Sequence, residues 1–508
     1  MSELPMTSGA PAGGAPGPIR PEDGARMHRF DPEMEDVAAA IFSYALERVR
    51  LDPPPIDRPR TPGDLDQYGP TVTPGGLGGR EALRLFCEQL APATISQDHP
   101  RNVAFVPGAP TEAAVLFDLV VGASSIYGGS WMEGAGAVWA ENQALRWIAD
   151  LVGMPRTAGG VFVGGGSAAN LSALVAARHR ARRNWGTKTP RWTVAVADTA
   201  HSSITAAAAV MDIDLLRVLT DRDGRMHGSD LRAALDGARL AGKAIGDGDR
   251  KTGSESESGS ESEVPALPPE IVFAVVATSG TTNAGTIDDL RGIAEICRAE
   301  GLWMHVDGAY GGAALCAPSV RDRFTGIEHA DSFVVDPHKW LFAPYDCAAL
   351  LYRDPSVARE AHTQHAGYLD VLHDAGEWNP SDYAFHLTRR ARGLPFWFSL
   401  ATHGTDAYRD AVEASLTLTR QVAVLIGATP HLDLLMEPEL SVLLFRRRGW
   451  TARDYHTWST RMLDEQRAFC VPTTVPGDDG QPETVLRFCL THPRSTLRDM
   501  QEILETLR

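Results

Sequence analysis

The sequence predicts an α/β protein, with a mainly parallel β-sheet covered by helices on both faces and a smaller α+β domain after it. Two patterns carry that expectation. Over residues 99–391, short apolar runs alternate with stretches of helical spacing, the pattern of strands joined by helical crossovers. Strands are expected at 161–163, 192–197, 271–277, 303–306, 332–335 and 348–352. From residue 392 onward the character changes. A helix over 408–427 leads to strands near 440–446 and 484–490, and a helix over 496–507 closes the chain.

The remaining segments follow from composition. Residues 1–25 are rich in Gly, Pro and Ala, without the charged and apolar regions of a signal peptide, and are expected to be a disordered tail. Residues 26–98 form an N-terminal helical segment. Within it, residues 31–51 place Val37, Ala40, Ile41, Tyr44, Ala45 and Val49 on one helical face, ended by Pro53-Pro54-Pro55. Residues 244–269 carry the run GSESESGSESE and read as a flexible acidic insertion, because Ser and Glu bury too little apolar surface to offset ordering.

Bulk properties exclude several classes. The chain has 508 residues, enough for two or three domains with a substantial core. A formal charge of −17 argues against nucleic acid or an anionic membrane surface as partner. No apolar stretch approaches the ~18 residues needed to span a bilayer. Six scattered cysteines without CxxC spacing point to reduced thiols and a cytoplasmic location.

Two segments carry the chemistry. In Val335-Asp336-Pro337-His338-Lys339-Trp340, one lysine follows an apolar run and precedes Trp340-Leu341-Phe342. A lysine in water has a pKa of ~10.4 and is not a nucleophile. A dry site beside other cationic groups lowers that value and suits the amine to imine chemistry, so a lowered pKa is expected for Lys339. Upstream, Met304 to Val306 read as a buried strand with Asp307 at its carboxyl end, where open α/β sheets bind ligands. A carboxylate there also serves as a helix cap. Paired with a lysine after the next strand, it points to pyridoxal 5'-phosphate, whose ring nitrogen a carboxylate keeps protonated.

These segments resemble motifs of the pyridoxal-phosphate-dependent group II amino-acid decarboxylases, the family of aromatic-amino-acid and glutamate decarboxylases. The resemblance rests on DPHKW (336–340), HVDGAYGG (305–312), ATSGTT (277–282), GGGSAAN (164–170) and TAHSS (199–203), in the family's order. It runs from about residue 99 to the end of the chain. It implies fold type I with a mainly parallel seven-stranded sheet, and a homodimer in which the N-terminal layer packs across the partner. Gly166 and Ser167, opening a helix, are assigned to the cofactor phosphate. His338 is a further phosphate or imine neighbour. The resemblance has His201 stack on the ring, Thr278 and Asp307 flank it, and Ala309 leave room for it. For Thr278 an ordinary strand residue is an equal reading.

Tyr368 lies in a long polar segment, 362–386, where the family has a mobile catalytic loop. Its tyrosine returns a proton after carbon dioxide leaves, and relatives with phenylalanine there tend to form aldehydes. An aromatic anchor in a surface loop is the competing reading. Arg487 resembles a small-domain arginine of the family, though an interdomain ion pair is the preferred reading. Gly108, Gly128 and Gly129 supply no bulk where aromatic decarboxylases carry large side chains, so a reshaped pocket is expected, with Phe105 and Tyr127 adding aromatic surface. The leading expectation is decarboxylation of an aromatic or large neutral L-amino acid to its amine. Acidic amino-acid decarboxylation, oxidative deamination to an aldehyde and a non-catalytic binding module are the alternatives.

Overall fold

A computed structural model describes residues 25–185, 191–248, 270–367, 369, 376–477 and 480–508. The expected tail before residue 25, the acidic run over 249–269 and Tyr368 lie outside the described residues. The chain forms two compact units. One is helical and ends at Ile95, and the other holds residues 53–56 and everything from Ser96 onward.

In the first unit, the helix Pro32–Arg50 starts where Asp31 accepts a hydrogen bond from the Met34 amide at 2.9 Å. Of its expected apolar face, Val37 is buried, Ala40, Tyr44, Ala45 and Val49 are half-buried and Ile41 is exposed, while Phe42 and Leu46 outside that face are exposed too.

The second unit is built on a seven-stranded sheet. Its strands are β1 (Gly159–Val163), β2 (Arg191–Ala197), β3 (Asp214–Val218), β4 (Glu270–Thr278), β5 (Trp303–Asp307), β6 (Ser332–Val335) and β7 (Ala348–Tyr352). Their spatial order is β1-β7-β6-β5-β4-β2-β3, and only β7 runs against its neighbours. Side chains alternate across the sheet, as the pleat requires. Along β7, Ala349 and Leu351 enter one buried cluster while Ala348, Leu350 and Tyr352 enter the other. Both faces are therefore cores covered by helices.

The six strands read from the sequence are present. The seventh, β3, is a short edge strand of mostly half-buried residues. The helix Gly228–Gly248 carries into the first residues of the expected insertion. A second, antiparallel sheet has the order β10-β11-β9-β8, from β8 (Leu432–Leu434), β9 (Val442–Arg447), β10 (Thr473–Pro476) and β11 (Pro482–Cys489). The helices Thr405–Gly427 and Leu497–Glu505 pack with it around Val422, Phe445, Phe488 and Ile503.

One buried ion pair pins the segment before the helix Leu394–His403. Arg389 reaches Glu141 of the helix Trp131–Val152 through two parallel bonds of 2.8 and 2.9 Å, with side chains 0% and 2% exposed. Glu141 also accepts from the Gly393 amide at 2.8 Å. Removing one partner from such a pair costs about 3–5 kcal/mol, because the other charge stays buried and uncompensated. Arg389→Met should therefore lower the thermal midpoint sharply, and Arg389→Met combined with Glu141→Gln should restore most of it. Equal midpoints for the single and double variants would count against this account.

Candidate functional site

The strands β4, β5 and β6 run parallel and in step, with Thr278 opposite Asp307 and Asp307 opposite Val334. Their carboxyl ends open into a cleft. Gly166, Ser167, His201, Thr278, Asp307, Ala309 and Lys339 all line it. Residues spread over more than 170 positions of sequence thus meet at one edge.

Each is placed by its local structure. Gly165, at φ +144°, turns the chain from β1 into the helix Gly166–Trp185, a conformation L side chains rarely adopt. A Cβ on Gly166 would stand 3.1 Å from both the Ala309 methyl and an Asp336 carboxylate oxygen, so glycine keeps this floor open. His201 caps the helix Ser202–Met211, its Nδ1 accepting from the Ser203 amide at 3.2 Å. Thr278 ends β4, where its amide donates to the fully buried Asp288 at 2.7 Å. Asp307 is buried and accepts from the Ala309 amide at 3.0 Å and from the Asn170 side chain at 2.9 Å.

The short helix Pro337–Trp340 brings Lys339 back one turn onto Asp336, with Nζ 2.9 Å from Oδ2. The electrostatics reverse the expectation of a lowered lysine pKa. Burial does act to lower it, but the adjacent Asp336 carboxylate, aided by Asp307, outweighs burial and raises the amine above its ordinary value. The nearest charge is a counter-ion, and the neighbouring His338 is itself pushed down by burial.

Asp336 stood in the motif without a role assigned to it. Its carboxylate is 2% exposed, and its Oδ1 has no hydrogen-bond partner among the described residues. Only the helical turn at Pro337 reveals that it faces the lysine.

His338 is not among the residues lining the cleft. Its ring engages the Cys347 backbone and packs against Tyr345 with centroids 4.8 Å apart.

Two further expectations change. Gly108 and Gly128 do not enlarge a pocket. A Cβ on Gly108 would come within 2.6 Å of the His338 carbonyl, and one on Gly128 within 3.0 Å of the Ala391 backbone, so close backbone approach explains both. Among the described residues Arg487 makes no interdomain ion pair. It donates to the backbone carbonyls of Thr282, Asn283 and Phe105, joining β11 to the cleft-lining turn.

The donor set fits pyridoxal 5'-phosphate. A glycine-floored helix N-terminus suits a phosphate. A buried carboxylate suits a cationic ring nitrogen, and a primary amine lies in the same cleft. Among the described residues Asp336 Oδ1 is a buried acceptor without a hydrogen-bond partner, the kind of atom that a bound group satisfies.

Comparisons with known proteins agree. Residues 84–245 and 267–448, more than half of the chain, match the family described as the pyridoxal-dependent decarboxylase conserved domain. The chain is 28% identical over 448 residues to an aromatic-L-amino-acid decarboxylase of Bacillus atrophaeus, covering 86% of each chain. With the Mus musculus protein of the same name, identity is 29% over 456 residues, covering 84% of this chain and 86% of that one. The crystal structure of Catharanthus roseus tryptophan decarboxylase in complex with L-tryptophan superposes at a TM-score of 0.77. It is 19% identical and covers 97% of this chain and 98% of that one, which speaks for the fold, type I of the pyridoxal-phosphate enzymes. With motif order, sheet topology and cleft chemistry in accord, the chain belongs to the pyridoxal-dependent decarboxylase family.

Proposed function

We propose that this pyridoxal-phosphate-dependent carboxy-lyase removes the carboxyl group of an aromatic or large neutral L-amino acid, leaving the amine. The observation that carries the reading is the meeting of Lys339, Asp307 and His201 in one cleft at the carboxyl edge of the sheet. The names of the relatives, aromatic-L-amino-acid decarboxylases, support the substrate class. The bound cofactor supplies an electron sink for the carbon that loses carbon dioxide.

The chain's own residues divide the remaining work. Lys339 would be the point of covalent attachment, Gly166 and Ser167 would hold the phosphate, and Asp307 would keep the ring nitrogen protonated. Thr278 and Ala309 would border the ring, and His201 would stack on it. His338 supports the lysine turn from behind. Tyr368 returns a proton to the reacting carbon. Asp336, lying against Lys339, raises the pKa of the amine above its ordinary value. The proposed domains remain 26–98, 99–391 and 392–508.

A homodimer is part of this reading, supported by the apolar surface that Phe30, Ile41, Phe42 and Leu46 leave exposed on the helical unit. A cytoplasmic location is supported by six unpaired cysteines. Among the described residues, no helix is long and apolar enough to cross a membrane. A screen of the twenty amino acids for carbon dioxide release tests the substrate class. Release from glutamate or aspartate alone would overturn it.

The purified protein should be yellow, and borohydride should fix the cofactor to Lys339. In Lys339→Ala that fixation and essentially all turnover should vanish. A stable reduced adduct in the variant would move the chemistry to another lysine.

Asp307→Asn should slow turnover by about 10²- to 10³-fold and weaken cofactor binding, since an amide cannot balance a ring cation in a poorly solvated site. Rates near wild type would remove Asp307 from the site.

Tyr368→Phe should retain the cofactor but shift product from amine towards aldehyde and ammonia in air. An unchanged product ratio would leave Tyr368 as a packing residue.

A further inference from the structure

A buried chain of hydrogen bonds runs beneath the cleft, and its polarity follows from its two ends. Trp303 Nε1, which can only donate, is 2.8 Å from Ser332 Oγ. Ser332 Oγ is 2.8 Å from His305 Nδ1, and His305 Nε2 is 2.8 Å from Asn170 Oδ1. Asn170 Nδ2 then reaches Asp307 Oδ2 at 2.9 Å and Ser203 Oγ at 3.0 Å. Ser203 Oγ ends the second branch at His201 Nδ1, 2.9 Å away.

The other end is an acceptor. A carboxylate at Asp307 takes only donors, so Asn170 must turn its amide nitrogen towards Asp307 and its oxygen towards His305. His305 then carries its proton on Nε2 and accepts from Ser332 on Nδ1. Ser332, donating to His305, is left to accept from Trp303. Every link is satisfied in one direction only.

On the second branch, Asn170 donates to Ser203, whose hydroxyl proton points to His201. The Ser203 amide donates to the same Nδ1 at 3.2 Å, so two donors converge there and the proton of a neutral His201 ring lies on Nε2. The members are deeply buried, with Asn170 at 1%, His305 and Ser332 at 0% and Ser203 at 5% exposure. Burial pushes the His305 imidazole down to about 4, against the opposing pull of Asp307, which keeps the link neutral.

We propose that Asn170 is a positioning residue for the cofactor, the branch point that presents a donor to Asp307 and, through Ser203, fixes His201 as an Nε2-protonated ring. The arrangement makes the two cleft groups interdependent. An Asn170 turned the other way would face Asp307 with a carbonyl and break its three bonds at once. Because the amide serves both branches, Asp307 and His201 are set by one side chain anchored to β5 and β6 through His305 and Ser332. Asn170 acts through these groups.

The inference rests on the proposed cofactor site, and the experiment separates the two. Pyridoxal 5'-phosphate is titrated into the cofactor-free full chain, followed by quenching of tryptophan fluorescence. Asn170→Leu, close in volume but without donors, should weaken binding about 10- to 100-fold, the worth of a hydrogen bond to a charged group. In an Asp307→Asn background the same substitution should add less than about threefold, because the two residues share one interaction. Equal losses in both backgrounds, or none in either, would reduce Asn170 to a packing residue. If Asn170→Leu does not fold, the smaller Asn170→Ser goes through the same cycle. Nitrogen-15 spectra of histidine-labelled protein, assigned with His201→Gln, should show His201 protonated on Nε2, and a ring protonated on Nδ1 would overturn the polarity. Failure of the unaltered chain to bind pyridoxal 5'-phosphate would instead refute the proposed function.

Discussion

Because Thr278 of β4 lies opposite Asp307 of β5, and Asp307 opposite Val334 of β6, three strands end in step and release their chains at one edge. Everything chemical in the cleft depends on that parallel register. Backbone hydrogen bonding supplies the precision, since sliding one strand by a residue would turn Asp307 to the other face of the sheet. The helix N-terminus at Gly166 and the helix start at His201 meet the same edge because their preceding strands, β1 and β2, point the same way. The sheet is thus the ruler, and the loops at its carboxyl ends carry the reactive groups.

The cleft concentrates charge in a place that disfavours it. Two buried carboxylates and one amine occupy the edge, with Lys339 and Asp336 2.9 Å apart. Such a pair is costly to desolvate and gains stability only where its remaining valences are met. Among the described residues Asp336 Oδ1 has no hydrogen-bond partner, and the adjacent carboxylate raises the pKa of the amine despite its burial. This balance differs from the usual picture of a lysine activated by burial alone. Here the counter-ion dominates.

Legibility in the sequence followed the range of the interactions. Six of the seven main strands announced themselves because each is a short apolar run buried on both faces. β3 did not, since an edge strand is held by one neighbour and needs little apolar content. The outer strands of the small sheet, β8 and β10, were missed for the same reason. Among site residues, those at strand ends and glycine turns were readable from local spacing. Asp336 was visible but mute, because its role depends on a single helical turn. Asn170 was hidden further, since its partners lie 33, 135 and 137 positions away. The glycines at 108 and 128 misled for a related reason: an absent side chain reads as open space until the facing backbone is known.

The turn that follows β4 is held from outside the large sheet. Arg487 of β11 grips the carbonyls of Thr282 and Asn283, while Asn283 bonds Thr473 and Thr474 of β10. Tyr310, another wall of the cleft, is tied to Ser441 at 2.5 Å beside β9. The small sheet is therefore a co-owner of the cleft's outline, although the motifs all lie in the large one. A chimera that exchanged the carboxyl-terminal part with that of a relative would have to bring the matching turn and its arginine together. Modular exchange within this fold is bounded by that seam, and a graft cut at the end of the large sheet would carry the chemistry without its walls.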